Sequence, residues 1–336
     1  MSYDANWEVP HKPGTNRFWQ ESDCLWFYDD EAGVGGFYRL GQRPNENTGQ
    51  ATLFAFARGG ERFVHTGAFR SSTEHGGGYF ITPADRWETG HRVDAYQAGT
   101  LGAGKQYFKW DKPDCAADLI FSDNFFTPQN WYGRAHEWAS NLNPDGHLEV
   151  DGKLRGKIRI GEATFQIDAL AHRDRSWGYR DNSRAQMHRY RMFSGTCGPA
   201  MSFATFHMDI EGAGLMQSGF VVRNGVSSEV VDQRVLLTID RDNITTTGST
   251  ILLTLKDGER LRFACQTVQG FITPVPGAST PWIADNISKV FHEGLTGFCD
   301  MEIGINPGRG GYLPKQADVT LLAVDEGLSK FMEYTL

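Results

Sequence analysis

Residues 172–181 read His-Arg-Asp-Arg-Ser-Trp-Gly-Tyr-Arg-Asp, a run dense in groups that carry or exchange protons. The stretch before it, Thr164 to Ala171, alternates as a strand does. Period two, continued through both, places Gln166, Asp168, Leu170, His172 and Asp174 on one face and Phe165, Ile167, Ala169 and Ala171 on the other. If the polar face looks into a barrel, Asp168, His172 and Asp174 line a water-poor site. Burial raises a carboxyl pKa and a neighbouring arginine lowers it. A carboxylic acid held near neutral pH is what general acid catalysis requires. The competing expectation is that Asp174 pairs with Arg173, Arg175 or Arg180 and merely fixes a corner.

A second constellation lies in residues 188–210, two strand-like halves around Gly195–Pro199. A turn centred between Cys197 and Gly198 sets His188 opposite His207 and Tyr190 opposite Thr205, all on one face. That face could relay protons; paired core histidines are the plainer reading, and a metal site with Asp209 the weakest. Arg173, Arg175, Arg180, Arg184, Arg189 and Arg191 crowd the region. They suit either an anionic substrate group or solvated strands.

The elements that must position these groups are strands. Residues 51–58 alternate large and small; residues 153–171 read as strand, Gly-Glu turn, strand; residues 251–268 form a hairpin about Asp257-Gly258. Asp145-Gly146 repeats that turn chemistry. Helical periodicity is confined to residues 280–294, with Ile283, Ile287 and Val290 on one face. The class expected is all-β with little helix, and the length suits two halves meeting near residue 180.

Several function classes drop out. The net charge of −8 argues against general nucleic-acid binding. Five scattered cysteines without a CxxC read as free thiols of a reducing, cytoplasmic compartment. No basic start runs into an apolar stretch, and none approaches the ~18 apolar residues of a membrane helix. The glycine-rich residues 33–41 carry Tyr38 where a dinucleotide fingerprint needs its third glycine. His75 to Phe80 reads as a bend rather than an oxyanion loop, since no GxSxG elbow accompanies it. HExxH and zinc-ligand spacings are also missing, so neither cofactor nor metal is expected. An aromatic share of 12% fits a deep apolar cavity as well as a large β core.

Asp174, Ser176, Trp177 and Gly178 match an Asp-x-Ser/Asn-Trp-Gly signature. The chain thereby resembles the AttH-like superfamily that includes hydroxyneurosporene synthase (carotenoid 1,2-hydratase). Gly36, Arg39, Gly41, Arg43, Pro44, Asn45 and Glu46 resemble the first block of an uncharacterised branch of it. Arg175 stands where carotenoid hydratases carry His. The resemblance implies two lipocalin-like antiparallel β-barrels packed side by side, here 1–182 and 183–336. It also implies cofactor-independent acid/base chemistry on a hydrophobic terpenoid, steroid or aromatic small molecule, as a hydratase, dehydratase or double-bond isomerase. In that reading Asp174 transfers the proton, and His172, Tyr190 and His188 position or deprotonate water. Trp177, Asp168, Arg175, Arg180 and His207 contact substrate, and a homodimer is possible. The alternatives are a non-catalytic carrier of a lipophilic ligand and a templating cyclase.

Overall fold

The computed structural model describes residues 3–60, 62–66, 86–130, 144–180, 187–210, 214–239, 246–274, 282–305 and 322–324. The chain divides into two compact units, Met1–Asp181 and Asn182–Leu336. Among the described residues the helical elements are two short 3-10 turns, Ala5–Glu8 and Pro44–Glu46. No helix there is long and apolar enough to cross a membrane.

The first unit holds β1 (Trp19–Asp29), β2 (Val34–Arg43), β3 (Thr48–Ala57), β4 (Arg62–Thr66), β5 (Arg86–Trp87) and β6 (Gly90–Val93). It continues with β7 (Tyr96–Gly102), β8 (Lys105–Lys112), β9 (Cys115–Ser122), β10 (Gln129–Asn130), β11 (Pro144–Ile160) and β12 (Ala163–Tyr179). They form one antiparallel sheet in the order β4-β3-β2-β1-β12-β11-β9-β8-β7-β6-β5, with β10 beside β11. The sheet curls until β2 meets β6, where Gln42 Nε2 donates to the Arg92 carbonyl at 3.0 Å. Inside the curl Tyr38 packs on Phe108 and Trp110, each at 5.4 Å between ring centroids. The long β11–β12 hairpin turns at Gly161-Glu162, where Gly161 takes φ +58°.

The second unit holds β13 (Met187–Thr196), β14 (Met201–Ile210), β15 (Gly214–Arg223), β16 (Val226–Ile239), β17 (Thr246–Leu255), β18 (Arg260–Pro274), β19 (Trp282–His292), β20 (Leu295–Ile305) and β21 (Leu322–Val324). Strands β13 to β20 close into an eight-stranded barrel through the β15–β16 pairing, and β21 adds to β16. Phe193, Phe203, Leu237, Ile251, Phe263 and Met301 fill it. The all-β expectation therefore holds.

Three local expectations give way. Residues 282–292 form β19 and no helix. Both faces of this strand are buried from Ala284 to Ser288, so the period-two signature is lost and the leftover apolar spacing imitates a helix. Asp145-Gly146 is no turn but lies within β11. A Cβ on Gly146 would sit 2.2 Å from the Trp177 ring, so the glycine exists for close approach, not for turn geometry. The β13–β14 loop is centred on Pro199. Thr196 Oγ1 accepts from Gly198 N at 3.0 Å and Cys197 N donates to the Met201 carbonyl at 2.8 Å. The register is consequently Arg191↔His207 and Tyr190↔Met208. Being off by an odd number of residues, it sets Tyr190 and His207 on opposite faces.

Candidate active site

Strands β2, β1, β12 and β11 lie side by side at the centre of the first sheet. On one face, direct cross-strand neighbours form three rows: Gly41–Ser22–Ser176–His147, Arg39–Cys24–Asp174–Glu149 and Phe37–Trp26–His172–Asp151. Their imidazoles and carboxylates make one connected cluster. His147 Nε2 lies 2.6 Å from Asp174 Oδ2 and 2.8 Å from Glu149 Oε1. His172 Nδ1 lies 2.8 Å from Asp151 Oδ1, and its Nε2 meets Glu149 Oε2. All five residues are buried. Glu149 bridges the two imidazoles, and Asp174 Oδ1 is buried with no hydrogen-bond partner among the described residues. Trp26 lies 5.6 Å from the His172 ring and 5.0 Å from Phe37, giving the cluster an aromatic border.

Burial disfavours the imidazolium form, yet the carboxylates outweigh it. Asp174 and Glu149 hold His147 protonated well above the usual histidine range, and Glu149 with Asp151 raises His172 to about 10. For Glu149, burial raises the pKa but the two imidazoliums bring it below the ordinary carboxylate range. With both histidines charged, three carboxylates face two cations. His172 is raised from 6.5 to about 10, so its contribution is full below about pH 6.5 and is lost as pH rises towards 10. The melting temperature of the protein is expected to fall between pH 7 and pH 10, and His172→Gln should flatten that slope in a differential scanning calorimetry series.

His147, Glu149 and Asp174 also bring ligand atoms within 4.8 Å of one another, as Asp285, Asp300 and Glu302 do in the second unit. A metal on the first set would need the His147 proton removed, and that proton already supplies the cation the carboxylates face.

The opposite face of the same strands carries the arginines of the signature. Arg173 forms a two-armed pair with Glu8, both arms at 2.8 Å, and lies over the Phe121 ring. Arg175, completely buried, reaches Asp23 Oδ1 at 2.6 Å and Glu21 Oε1 at 2.7 Å. Burial opposes its charge, but those two carboxylates raise its pKa further still. Arg175 therefore does not face Asp174, and the expected corner pair between Asp174 and Arg173 or Arg175 is absent, because strand neighbours point to opposite faces. Trp177 lies on the arginine face too, stacked on His11 at 4.0 Å and packed on Trp19 and Leu148. Its indole cannot cover a cation formed at Asp174; Trp26 and Phe37 are aromatics on that side.

The other expected residues are dispersed. Asp168 shares the Asp174 face but sits near the far end of β12, with a side chain 62% exposed and paired to Lys153 at 3.1 Å and Arg155 at 3.4 Å. Tyr190 donates to Glu302 Oε1 at 3.0 Å in the second unit. His207 is buried there, opposite Arg191. His188 belongs to β13, but its side chain lies outside the described residues, as do Arg184, Asp209 and residues 75–80. Arg180 is half-buried just past β12. A solvent-open groove of about 450 Å³ bordered by Gln97, Lys109, Asp118, Lys157 and Arg159 is set apart from the cluster.

A family model described as "Domain of unknown function (DUF7064)" matches residues 4–307. The chain belongs to this family. No curated protein sequence matches it. Among solved structures it is similar to an AttH-type protein of Nitrosomonas europaea, at 10% identity and TM-score 0.65, over 90% of this chain and 96% of that one. CghA with Sch210972 matches at 10% identity and TM-score 0.59, over 89% and 94%. Kievitone hydratase of Nectria haematococca matches at 10% identity and TM-score 0.57, over 85% and 88%. At such identities the likeness is one of fold, and the fold is the double lipocalin-like one that the signature implied.

Proposed function

We propose that this member of the DUF7064 family is a hydro-lyase or double-bond isomerase that acts on a hydrophobic small molecule by proton transfer at Asp174. The observation that carries the reading is the buried His147–Asp174 pair, with Asp174 Oδ1 left without a partner among the described residues. A substrate hydroxyl or alkene carbon placed at Oδ1 exchanges its proton there. His147 Nε2, on the other oxygen, moves its own proton towards Oδ2 or away from it and keeps the charge balanced. In dehydration the Asp174 carboxylate takes a proton at Oδ1 from the carbon next to the alcohol and passes it to the hydroxyl, which leaves as water. Hydration is the reverse, and isomerisation takes a proton from one carbon and returns it to another. Glu149, His172 and Asp151 act as positioning residues, since both His172 nitrogens are already occupied. Trp26 offers its π face to positive charge developing on carbon. That one fold neighbour is named a hydratase supports the same reaction class.

The test is incubation with terpenoid, steroid and aromatic alcohols and alkenes, read by mass spectrometry for gain or loss of water, about 18 Da. Products are expected with wild type and absent with Asp174→Asn. Dialysis against a chelator should leave turnover unchanged. A loss restored by zinc would reassign His147, Glu149 and Asp174 as metal ligands.

A further inference from the structure

The face that carries Asp174 holds a second set of groups that the proton chemistry does not use. Arg39 is half-buried in the same cross-strand row as Asp174, with Cys24 between them. Its Nη1 donates to Gln50 Oε1 at 2.7 Å, and among the described residues no carboxylate pairs with it. The guanidinium spreads over Gly41, where an added Cβ would stand 2.9 Å from Nη1, so glycine is what leaves it room. Glu46 is taken up by Arg17 at 2.9 Å and Arg43 at 3.3 Å. Gln20 Nε2 and Thr52 Oγ1, on the same face, are buried donors without partners among the described residues. Gln20 lies opposite Gly178, which has no side chain to cover it, and Thr52 lies opposite Arg39. Buried polar groups left open on one face, beside a guanidinium that no described carboxylate neutralises, call for a ligand that brings its own acceptors.

Resting on the acid–base reading above, we propose that the substrate is a hydrophobic carboxylic acid whose carboxylate is received by Arg39, with Gln20 and Thr52 as supporting donors. The planar fork of arginine accepts both oxygens of a carboxylate at once. Arg39 and Asp174 stand two strands apart, about 10 Å between backbones. The reacting carbon and the carboxylate are therefore separated by several bonds, a span suited to an extended or ring-bearing acid.

Dodecanoate and dodecanol, which share a chain and differ in the head group, test this by isothermal titration calorimetry at neutral pH. Wild type is expected to bind dodecanoate roughly 10- to 100-fold more tightly than dodecanol, the range of a charge-assisted hydrogen-bonded contact. Arg39→Gln should bring the ratio close to one while leaving dodecanol affinity unchanged, and Arg39→Lys should keep part of it. Asp174→Asn should retain the preference, so failure of the acid–base reading shows in turnover and failure of this proposal shows in the affinity ratio. Equal wild-type affinities, no binding of either probe, or a preference that survives Arg39→Gln overturns it. The wild-type ratio needs no variant, so a misfolded Arg39→Gln leaves the proposal open to refutation.

Discussion

Asp174→Asn is expected to lower turnover by at least roughly 10²-fold, the lower end of what a general acid or base contributes. Asparagine keeps the shape of the carboxyl group and an oxygen that can face His147, but it cannot exchange a proton at the position of Oδ1. Folding should hardly notice. Three carboxylates face two imidazoliums in the cluster, so losing one negative charge removes an excess and leaves no orphaned ion. Glu149 still contacts His147 from the other side, at 2.8 Å. The melting temperature should stay within about 4 °C of wild type, the shift of at most about 1 kcal/mol in a unit of this size. Turnover and melting measured on one preparation decide the matter: a destabilised variant with full activity per folded molecule would make Asp174 a clamp and move the chemistry elsewhere.

The next residue in the chain should give the opposite result. Arg175→Met removes the cation from between Glu21 and Asp23, all three completely buried. Breaking a buried ion pair by deleting one partner costs about 3–5 kcal/mol, because the abandoned charges keep their desolvation penalty. At about 2–4 °C per kcal/mol for a unit of this size, the melting temperature should drop by roughly 6–20 °C. Glu21 retains His11 at 2.9 Å and contact with Arg86, which favours the lower half of that range. Activity per folded molecule should be little changed, since Arg175 points away from the Asp174 face. A variant that melts normally but loses turnover would place Arg175 in the chemistry after all.

The opposition of these neighbours could be read from the sequence, because alternation along residues 164–174 is a local property of an extended chain. It set His172 and Asp174 together, and the structure keeps them on one face. What alternation could not supply was the depth of each position along β12. Asp168 has the right face, yet it lies six residues from Asp174, about 20 Å along a strand, and ends among surface lysine and arginine. The partners of His172 and Asp174 were also within reach. His147, Glu149 and Asp151 alternate with Leu148 and Val150, a pattern of polar and apolar faces as clear as that of β12. It was obscured by Asp145-Gly146, whose turn chemistry outweighed the pattern because the use of Gly146, giving way to a tryptophan from another strand, is a tertiary fact. The β13–β14 register failed for a related reason: a loop centred on Pro199 and tied by Thr196 leaves the same flanking sequences as a tight turn but shifts every pair.

The pairing of β1 with β12 has a consequence for how the protein is made. Cys24 lies beside Asp174, and Glu8 meets Arg173 across 165 positions of chain. The first strand of the unit waits for its last. At about 5–20 residues per second of translation, the interval is roughly 10–30 s. During it Trp26, Phe27 and Tyr28 have only the β2 and β3 side of their final surroundings, and Glu8 has no arginine. Such long-range closure is slow to nucleate. Nascent chains stalled before β12 leaves the ribosome should stay protease-sensitive and recruit chaperones, and those stalled soon after it should resist cleavage across the whole unit at once. Gradual protection, strand by strand, would show that the sheet zips from its β2–β3 end and does not need its central seam first.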